Sequence, residues 1–237
     1  MTTVVMLHGA HQLPKVWRAV SDSFPPAWGV VAPQLHGRAD LEAMNSAIVH
    51  DLAQVVVQPP VIVVATGTGA IAAIEFCARH IAEGDGNSGA TSGGIAGLLL
   101  AEPRIAVSAG AVRSAKLAAV LHGQGSAPRS ADGKFTNASY AQRLSYMQAL
   151  QGVSIPQGVL AQESVSLLQR VQQLNAAGLP VRILAAEKDR HGRAGARELH
   201  KLMPQAQFFE IAQAEADWNA YAPRNFAANV AEFIATL

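Results

Sequence analysis

The sequence predicts an α/β fold in which a mostly parallel sheet of about six strands is wrapped by helices. Short apolar runs of strand length alternate along the chain with longer segments of helical periodicity. The chain has 237 residues, of which 50% are apolar, so it can bury one substantial core. We therefore expect a single domain that spans residues 1–237.

The first half of the chain supplies four predicted strands and three predicted helices. Uninterrupted valine, isoleucine and leucine runs indicate buried strands, and apolar residues at helical spacing indicate the helices between them. In chain order we expect a strand at Val4–Leu7, a helix at Val16–Ser23, a strand at Gly29–Ala32, a helix at Leu41–Val56, a strand at Pro60–Val64, a helix at Gly69–Ala78 and a strand at Gly97–Ala101.

The same alternation resumes after an irregular stretch in the second half of the chain. In order we expect a helix at Val159–Leu174, a strand at Val181–Ala185, a helix at Ala194–Leu202, a strand at Gln207–Ile211 and a closing helix from Asn225.

The turn between the third strand and its helix is the most informative segment. It reads Ala65-Thr66-Gly67-Thr68-Gly69. Strand and helix backbones nearly touch in such a turn, so the residues two before and two after its centre must be small, as Ala65 and Gly69 are. Glycine at the centre adopts a left-handed backbone at little cost but brings no side chain for chemistry.

The order of these blocks resembles that of the α/β-hydrolase superfamily. The matching segments are the first core strand with its His-Gly turn at Val4–Ala10, the next strand and its loop at Val30–Arg38, the strand before the lid at Leu98–Pro103, and the strand that ends at the triad acid at Pro180–Asp189. The resemblance implies an α/β-hydrolase fold with a helical lid insertion at roughly residues 104–178.

Carried over residue by residue, the resemblance gives the backbone N–H groups of Ala10 and Thr68 as oxyanion-hole donors. It puts Gly67 at the nucleophile position, which is therefore vacant. It puts the triad acid at Asp189, although an ordinary surface-turn aspartate is the alternative. A gapless pairing with the family puts the triad histidine at Ala216, and a one-residue slip puts it at Asp217, neither of which has an imidazole. All eight histidines lie at or before His200, so no later histidine can fill this position. We therefore expect a divergent member without the serine or the histidine.

Further residues complete the predicted site. His36 lies in a loop that often lines the pocket mouth, so we consider it with Asp217 and Asp189 as an acid or base. The pocket is expected to include His8, Gly9, Thr66 and Trp218. A threonine hydroxyl without a nearby imidazole is a poor nucleophile. No histidine has the spacing of a metal ligand, so we predict neither a metal nor a cofactor.

Composition excludes several classes of partner. The net charge of +1 gives no case for nucleic-acid binding, and no apolar run is long enough to span a membrane. A single cysteine and the absence of a signal peptide favour a soluble cytoplasmic protein. Residues 104–158 carry a net charge of +5, which favours an anionic small-molecule substrate, although a solvated basic helix pair explains it equally well. Nothing in the sequence indicates an oligomeric state.

The predicted site leads to three hypotheses. The first is a cofactor-free, non-hydrolytic enzyme (a lyase, isomerase, dehydratase or cyclase) that acts on a small carbonyl compound through the retained oxyanion hole. The second is a non-catalytic protein that binds a small molecule or a partner. The third is an esterase whose nucleophile has moved elsewhere.

Overall fold

A parallel sheet forms the centre of the computed structural model, which describes residues 2–9, 12–35, 41–57, 59–83, 94–105 and 164–237. Within these residues its strands are β1 Thr2–Leu7, β2 Trp28–Val31, β3 Val61–Thr66, β4 Ile95–Ala101, β5 Val181–Ala186 and β6 Gln207–Ile211. The strand order is β2-β1-β3-β4-β5-β6, and every neighbouring pair is parallel. The predicted α/β fold with a six-stranded parallel sheet is confirmed.

Helices follow the strands along the chain. They are a 3₁₀ turn at Pro14–Trp17, α1 Arg18–Ser21, α2 Leu41–Ala53, α3 Gly69–Glu83, α4 Ser164–Ala176, α5 Arg190–Leu202, α6 Trp218–Tyr221 and α7 Pro223–Ala235. The helix predicted at Val16–Ser23 is thus a 3₁₀ turn joined to one short α-helix. Helix α5 begins four residues before its predicted start, and α6 was not predicted.

Alternating side chains of the strands feed two hydrophobic cores, one on each face of the sheet. In β1, Val5 and Leu7 point to the core beneath α2, α3, α4 and α5. Val4 and Met6 point to the opposite core, beneath α1, α6 and α7. Because both faces are covered, β1, β3 and β4 read as nearly continuous apolar runs rather than as alternating apolar and polar residues.

The strand order places a topological switch between β1 and β3. The chain leaves β1 toward β2 on one side, then returns across β1 to β3 and continues toward β6 on the other side. Loops that follow the two strands at such a switch diverge and leave a crevice at the carboxyl edge of the sheet. The residues after β1 and β3 therefore border the natural binding position of this fold.

Most of the predicted lid, residues 106–163, lies outside the described residues. Helix α4, near the end of the predicted insertion, packs on α3 and buries Leu167, Val171 and Leu174 in the first core. The lid itself stays a prediction. Among the described helices, none combines the length and the apolar character needed to cross a membrane.

Candidate functional site

The turn from β3 into α3 has the tight geometry expected for a strand-to-helix elbow. Gly67 has φ +55°, and α3 begins two residues later. The Gly67 N–H donates to the carbonyl of Ala101 at 3.0 Å, and its own carbonyl accepts from the N–H of Arg104 at 3.0 Å. A Cβ atom on Gly69 would lie 2.5 Å from the His8 carbonyl oxygen, so the helix starts against the loop that follows β1.

The oxyanion donors of the resemblance are described only in part. Thr68 is at the N-terminal end of α3, where the first helical N–H groups have no intrahelical acceptor and carry a partial positive charge. Its Oγ1 is buried without a hydrogen-bond partner among the described residues. Ala10 lies outside the described residues, as does His36. Of the two expected donors, Thr68 is thus the one whose surroundings the structure describes.

His8 holds two loops together. Its Nε2 accepts from the N–H of Leu35 at 3.0 Å, and its Nδ1 lies 2.9 Å from the Gly9 carbonyl oxygen. An accepting Nε2 assigns the proton to Nδ1, so the ring is the neutral tautomer with both nitrogens engaged. The side chain is fully buried. His8 therefore braces the loop beside Gly67 and has no free nitrogen with which to act as a base.

A buried amide, Gln12, connects the loop after β1 to the loop before α6. Its Oε1 accepts from the Gly9 N–H at 3.2 Å and from Thr66 Oγ1 at 3.1 Å. Its Nε2 donates to Asp217 Oδ1 at 3.0 Å and to Asn219 Oδ1 at 3.1 Å. The half-buried Asp217 carboxylate is thereby tied to the end of β3, close to Gly67.

Glu102, the first residue after β4, lies on the other side of Asp217. Its Oε2 accepts from the Asp217 N–H at 2.9 Å. Its Oε1 is buried without a hydrogen-bond partner among the described residues. Burial, reinforced by the negative charges of Asp217 and Asp189, raises the pKa of Glu102 well above its usual range, although the Asp217 N–H and Arg104 oppose this. Glu102 therefore holds its proton to a higher pH than an exposed glutamate does.

Asp189 sits at the start of α5, where its carbonyl accepts from the Arg193 N–H at 2.9 Å. Its Oδ2 accepts from Arg104 Nη2 at 3.2 Å. A Cβ atom on Gly192 would collide with Asp189 Oδ2 and would lie 3.0 Å from Glu102 Cβ. Both acidic side chains therefore pack against the same glycine, and Arg104 forms an ion pair with Asp189.

Trp218 lies in the core beneath α7. The side chain is 1% exposed and packs against Phe226 with ring centroids 4.9 Å apart. The lone cysteine, Cys77, is buried in α3, and burial raises the pKa of its thiol, so it is not an alternative nucleophile. No group of three or more His, Cys, Asp or Glu side chains in the described part of the chain could hold a metal ion.

Sequence reasoning missed Gln12, Glu102 and Asn219. One signal was available for Glu102, because it is an acidic residue placed directly after a buried strand, at the sheet edge where parallel sheets build their sites. Gln12 and Asn219 carried no local signal. Their side chains are recognisable as site residues only through each other and through Asp217.

Comparisons with known proteins identify the fold. No protein-family model matches the chain, and no curated protein matches it. Among solved structures, an esterase from Thermogutta terrifontis has a TM-score of 0.68 at 16% identity, covering 100% of this chain and 90% of that one. MenH from S. aureus has a TM-score of 0.69 at 13% identity, covering 99% and 94%. A bromoperoxidase from Bacillus anthracis has a TM-score of 0.66 at 14% identity, covering 99% and 92%.

Each of these similarities extends over nearly the whole of both chains, and identities this low relate folds rather than activities. Together with the parallel sheet, the switch between β1 and β3 and the sharp turn at Gly67, they identify the α/β-hydrolase fold.

Proposed function

We propose that this chain is a cofactor-free enzyme that carries out non-hydrolytic chemistry on a small carbonyl compound, as a lyase, isomerase, dehydratase or cyclase. Residue 67 carries the proposal, because it is a glycine at φ +55° in the turn where the resemblance implies a nucleophile. A serine hydrolase needs a hydroxyl there and an imidazole beside it. Gly67 has no hydroxyl, and Asp217 stands in the loop where the histidine would be.

The proposed chemistry uses N–H donors to stabilise negative charge on a carbonyl oxygen. The start of α3 at Thr68 supplies one such donor, and Ala10 is the second donor in this proposal. An enolate forms when a base removes the proton next to the carbonyl and the electron pair moves onto the oxygen. The base, whose proton can exchange with solvent, then returns a proton to carbon or gives one to a leaving group, so the step needs no cofactor.

Asp217 is the best candidate for the base. Its carboxylate is half-buried, and Gln12 Nε2 holds one oxygen at 3.0 Å. Asp189 is a weaker candidate, because its Oδ2 accepts a hydrogen bond from Arg104 and its backbone carbonyl accepts the Arg193 N–H at the start of α5. His36 stays a third candidate. An anionic substrate remains part of the proposal through the basic charge of residues 104–158.

Deuterium exchange tests this proposal even when the product is unidentified. A panel of β-keto acids, β-hydroxy ketones and 2-oxo acids is incubated with the protein in deuterated buffer, and NMR follows loss of the proton next to each carbonyl. We expect exchange with at least one class. The double variant Asp217→Asn, Asp189→Asn should lower its rate by about 100-fold or more, the usual contribution of a general base. Asp22→Asn, on the exposed end of α1, is the matched control.

Two outcomes would replace the proposal. Thermal stabilisation by a panel compound without exchange or product would favour a non-catalytic binding protein. Rapid labelling by a fluorophosphonate probe would favour ester hydrolysis by a relocated nucleophile, the activity named for the Thermogutta terrifontis neighbour. Exchange that survives intact in the double variant would remove both aspartates as the acid or base.

A further inference from the structure

We infer that Glu102 and Asp217 form a carboxyl pair with a single negative charge, in which buried Glu102 holds the proton and the more exposed Asp217 presents the carboxylate to the substrate. The inference rests on the proposed function, since it states how the base of that site is kept ionised. Glu102 is here a positioning residue, because it acts through Asp217.

The first support is location. Ala101 is paired with Thr66 across β3 and β4, and the Ala101 carbonyl accepts the Gly67 N–H. The Gly67 carbonyl in turn accepts the Arg104 N–H. The residues on either side of Glu102 are therefore hydrogen-bonded to Gly67. The two backbone segments lie about one strand spacing, roughly 5 Å, apart.

The second support is the unequal surroundings of the two Glu102 oxygens. One oxygen accepts the Asp217 N–H at 2.9 Å, while the other is buried without a partner among the described residues. The whole residue is 2% exposed. A charged carboxylate oxygen without a hydrogen-bond donor is far costlier to bury than a neutral carboxyl group.

The third support is the set of charges that face Glu102. Asp217 faces it from the loop before α6, Asp189 from the start of α5, Tyr221 from α6 and Arg104 from its own segment. Arg104 also bonds to Asp189 Oδ2, so the positive charge is shared with a second carboxylate. Burial and the two aspartates raise the pKa of Glu102, and the Arg104 charge only partly offsets them.

The backbone adds a fourth observation. Glu102 has φ +50° and Asp217 has φ +59°, and both are non-glycine residues in the left-handed region. Such strained residues concentrate at functional sites, where the surrounding structure holds them in place. Among the described residues, three non-glycine residues have a left-handed backbone, and the 2.9 Å hydrogen bond joins two of them; the third, Gln213, is not part of the pair.

The pair keeps the proton balance of the reaction simple. Asp217 enters as the carboxylate, takes the proton from carbon and later gives it back or passes it to the leaving group. Glu102 keeps its own proton throughout. If Glu102 ionised, a second negative charge would lie next to Asp217 and would oppose the negative charge that develops on the substrate oxygen. Activity should therefore fall at alkaline pH.

A substrate-free experiment tests the protonation of Glu102 through stability. Its folded-state pKa is raised above the unfolded value of about 4.3, so the stability it contributes is present below that pH and is lost as pH rises through the folded-state pKa. Glu102→Gln cannot ionise. Its unfolding constant relative to wild type should therefore fall about tenfold for each pH unit between the two pKa values.

Glu75→Gln is the matched control. Glu75 is equally buried at 4% exposure, but Arg170 and Arg79 hold its carboxylate. Burial alone would raise the pKa of Glu75, yet the two arginines outweigh burial and lower it. Glu75→Gln should therefore lose stability relative to wild type as pH rises. If Glu102→Gln follows the same direction as this control, the inference is wrong.

Infrared spectroscopy decides the matter even if Glu102→Gln does not fold. The wild-type protein at neutral pH should show the C=O band of a protonated carboxyl group, and ¹³C-labelled glutamate should shift that band. Its absence from the wild type at neutral pH would overturn the inference. The band should persist in Glu75→Gln and be missing from Glu102→Gln.

The pH dependence of catalysis distinguishes failure of the proposed function from failure of the carboxyl pair. If a panel compound exchanges, kcat/KM of the wild type should fall at alkaline pH, and Glu102→Gln should lack that fall. If no compound exchanges, the proposed function fails, while stability and infrared measurements still judge the carboxyl pair. If exchange occurs and the alkaline fall is the same in both proteins, the carboxyl pair fails and the proposed function stands.

Discussion

Two glycines of the turn after β3 are required for different physical reasons. Gly67 has a left-handed backbone, yet a Cβ atom there would lie 3.7 Å from Gly9 Cα, an ordinary contact. A Cβ atom on Gly69 would instead lie 2.5 Å from one backbone oxygen, of His8, and 2.8 Å from another, of Leu7. Position 67 thus has room for a side chain, whereas position 69 has none.

Alanine at these two positions should therefore have unequal effects. Gly67→Ala should lower the free energy of unfolding by about 1 kcal/mol through backbone strain alone. Gly69→Ala should lower it by about 3 kcal/mol, because backbone atoms of β1 or α3 must move apart. Urea unfolding of both variants measures the difference. Equal losses, or a larger loss at position 67, would contradict the close approach of α3 to the loop after β1.

Site residues with a local sequence signal could be predicted, whereas those defined by long-range contacts could not. The turn at Gly67 was predicted because its signal is local, in small residues between a strand and a helix. Gln12 and Glu102 were not, because their roles depend on partners far along the chain. Gln12 meets Asp217 across 205 residues, and Asp217 meets Glu102 across 115. No local pattern encodes such a contact.

At the scale of elements, an ion-pair network joins three helices over one face of the sheet. Glu75 on α3 accepts from Arg79 on the same helix and from Arg170 on α4. Arg79 extends the network to Glu42 on α2 at 2.5 Å. Because Glu75 is 4% exposed, its charge depends on these partners. The network therefore links α4, which follows residues 106–163, to the body of the fold.

Removing Arg170 should weaken this link in a pH-dependent way. In the wild type the lowered pKa of Glu75 contributes stability that is present above the unfolded value of about 4.3 and is lost as pH falls through the folded-state pKa. Arg170→Met should therefore cost about 1–2 kcal/mol at neutral pH, since Arg79 remains, and less at low pH.

Arg197→Met is the control for this prediction. Arg197 pairs with Glu210 at 2.6 Å, but its side chain is 57% exposed. Exposed pairs contribute about 0–1 kcal/mol, so its unfolding curve should change little. Urea unfolding at neutral and acidic pH compares the two variants. A loss for Arg170→Met that is the same at both pH values would show that packing, not charge, holds α4.

The sequence predicted the strands better than the helix ends. Valine-rich runs buried on both faces identify β1 and β3 to within two residues at each end. Helix α5 begins early because the turn at Asp189 leads directly into it, which the later apolar residues of the helix did not reveal. Helix α6 is a single turn, too short for a periodic pattern. Helix α7 begins at Pro223, where proline at the first position fits a helix.

At the scale of the molecule, the candidate site joins the centre of the sheet to its edge. The loops after β1, β3 and β4 carry Gln12, Gly67 and Glu102, and these strands are neighbours at or next to the middle of the sheet. Asp217 follows β6, which pairs only with β5 among the described strands and exposes much of its surface. Two hydrogen bonds connect Asp217 in this edge loop to the central loops. Its side chain accepts from Gln12, and its N–H donates to Glu102.

Native-state hydrogen exchange should show that the centre of the sheet is more stable against local unfolding than its β6 edge. Amides of β3 are paired on both sides and fully buried, so they should exchange only through global unfolding. Amides of β6 should open locally, at a free energy lower by about 2 kcal/mol or more. In Gln12→Ala the Asp217 amide should exchange faster, because the hydrogen bond from Gln12 to the Asp217 side chain is lost. Exchange of the β3 amides should stay unchanged. Equal protection of β3 and β6, or an Asp217 amide indifferent to Gln12, would show that the edge loop is held by contacts other than these two hydrogen bonds.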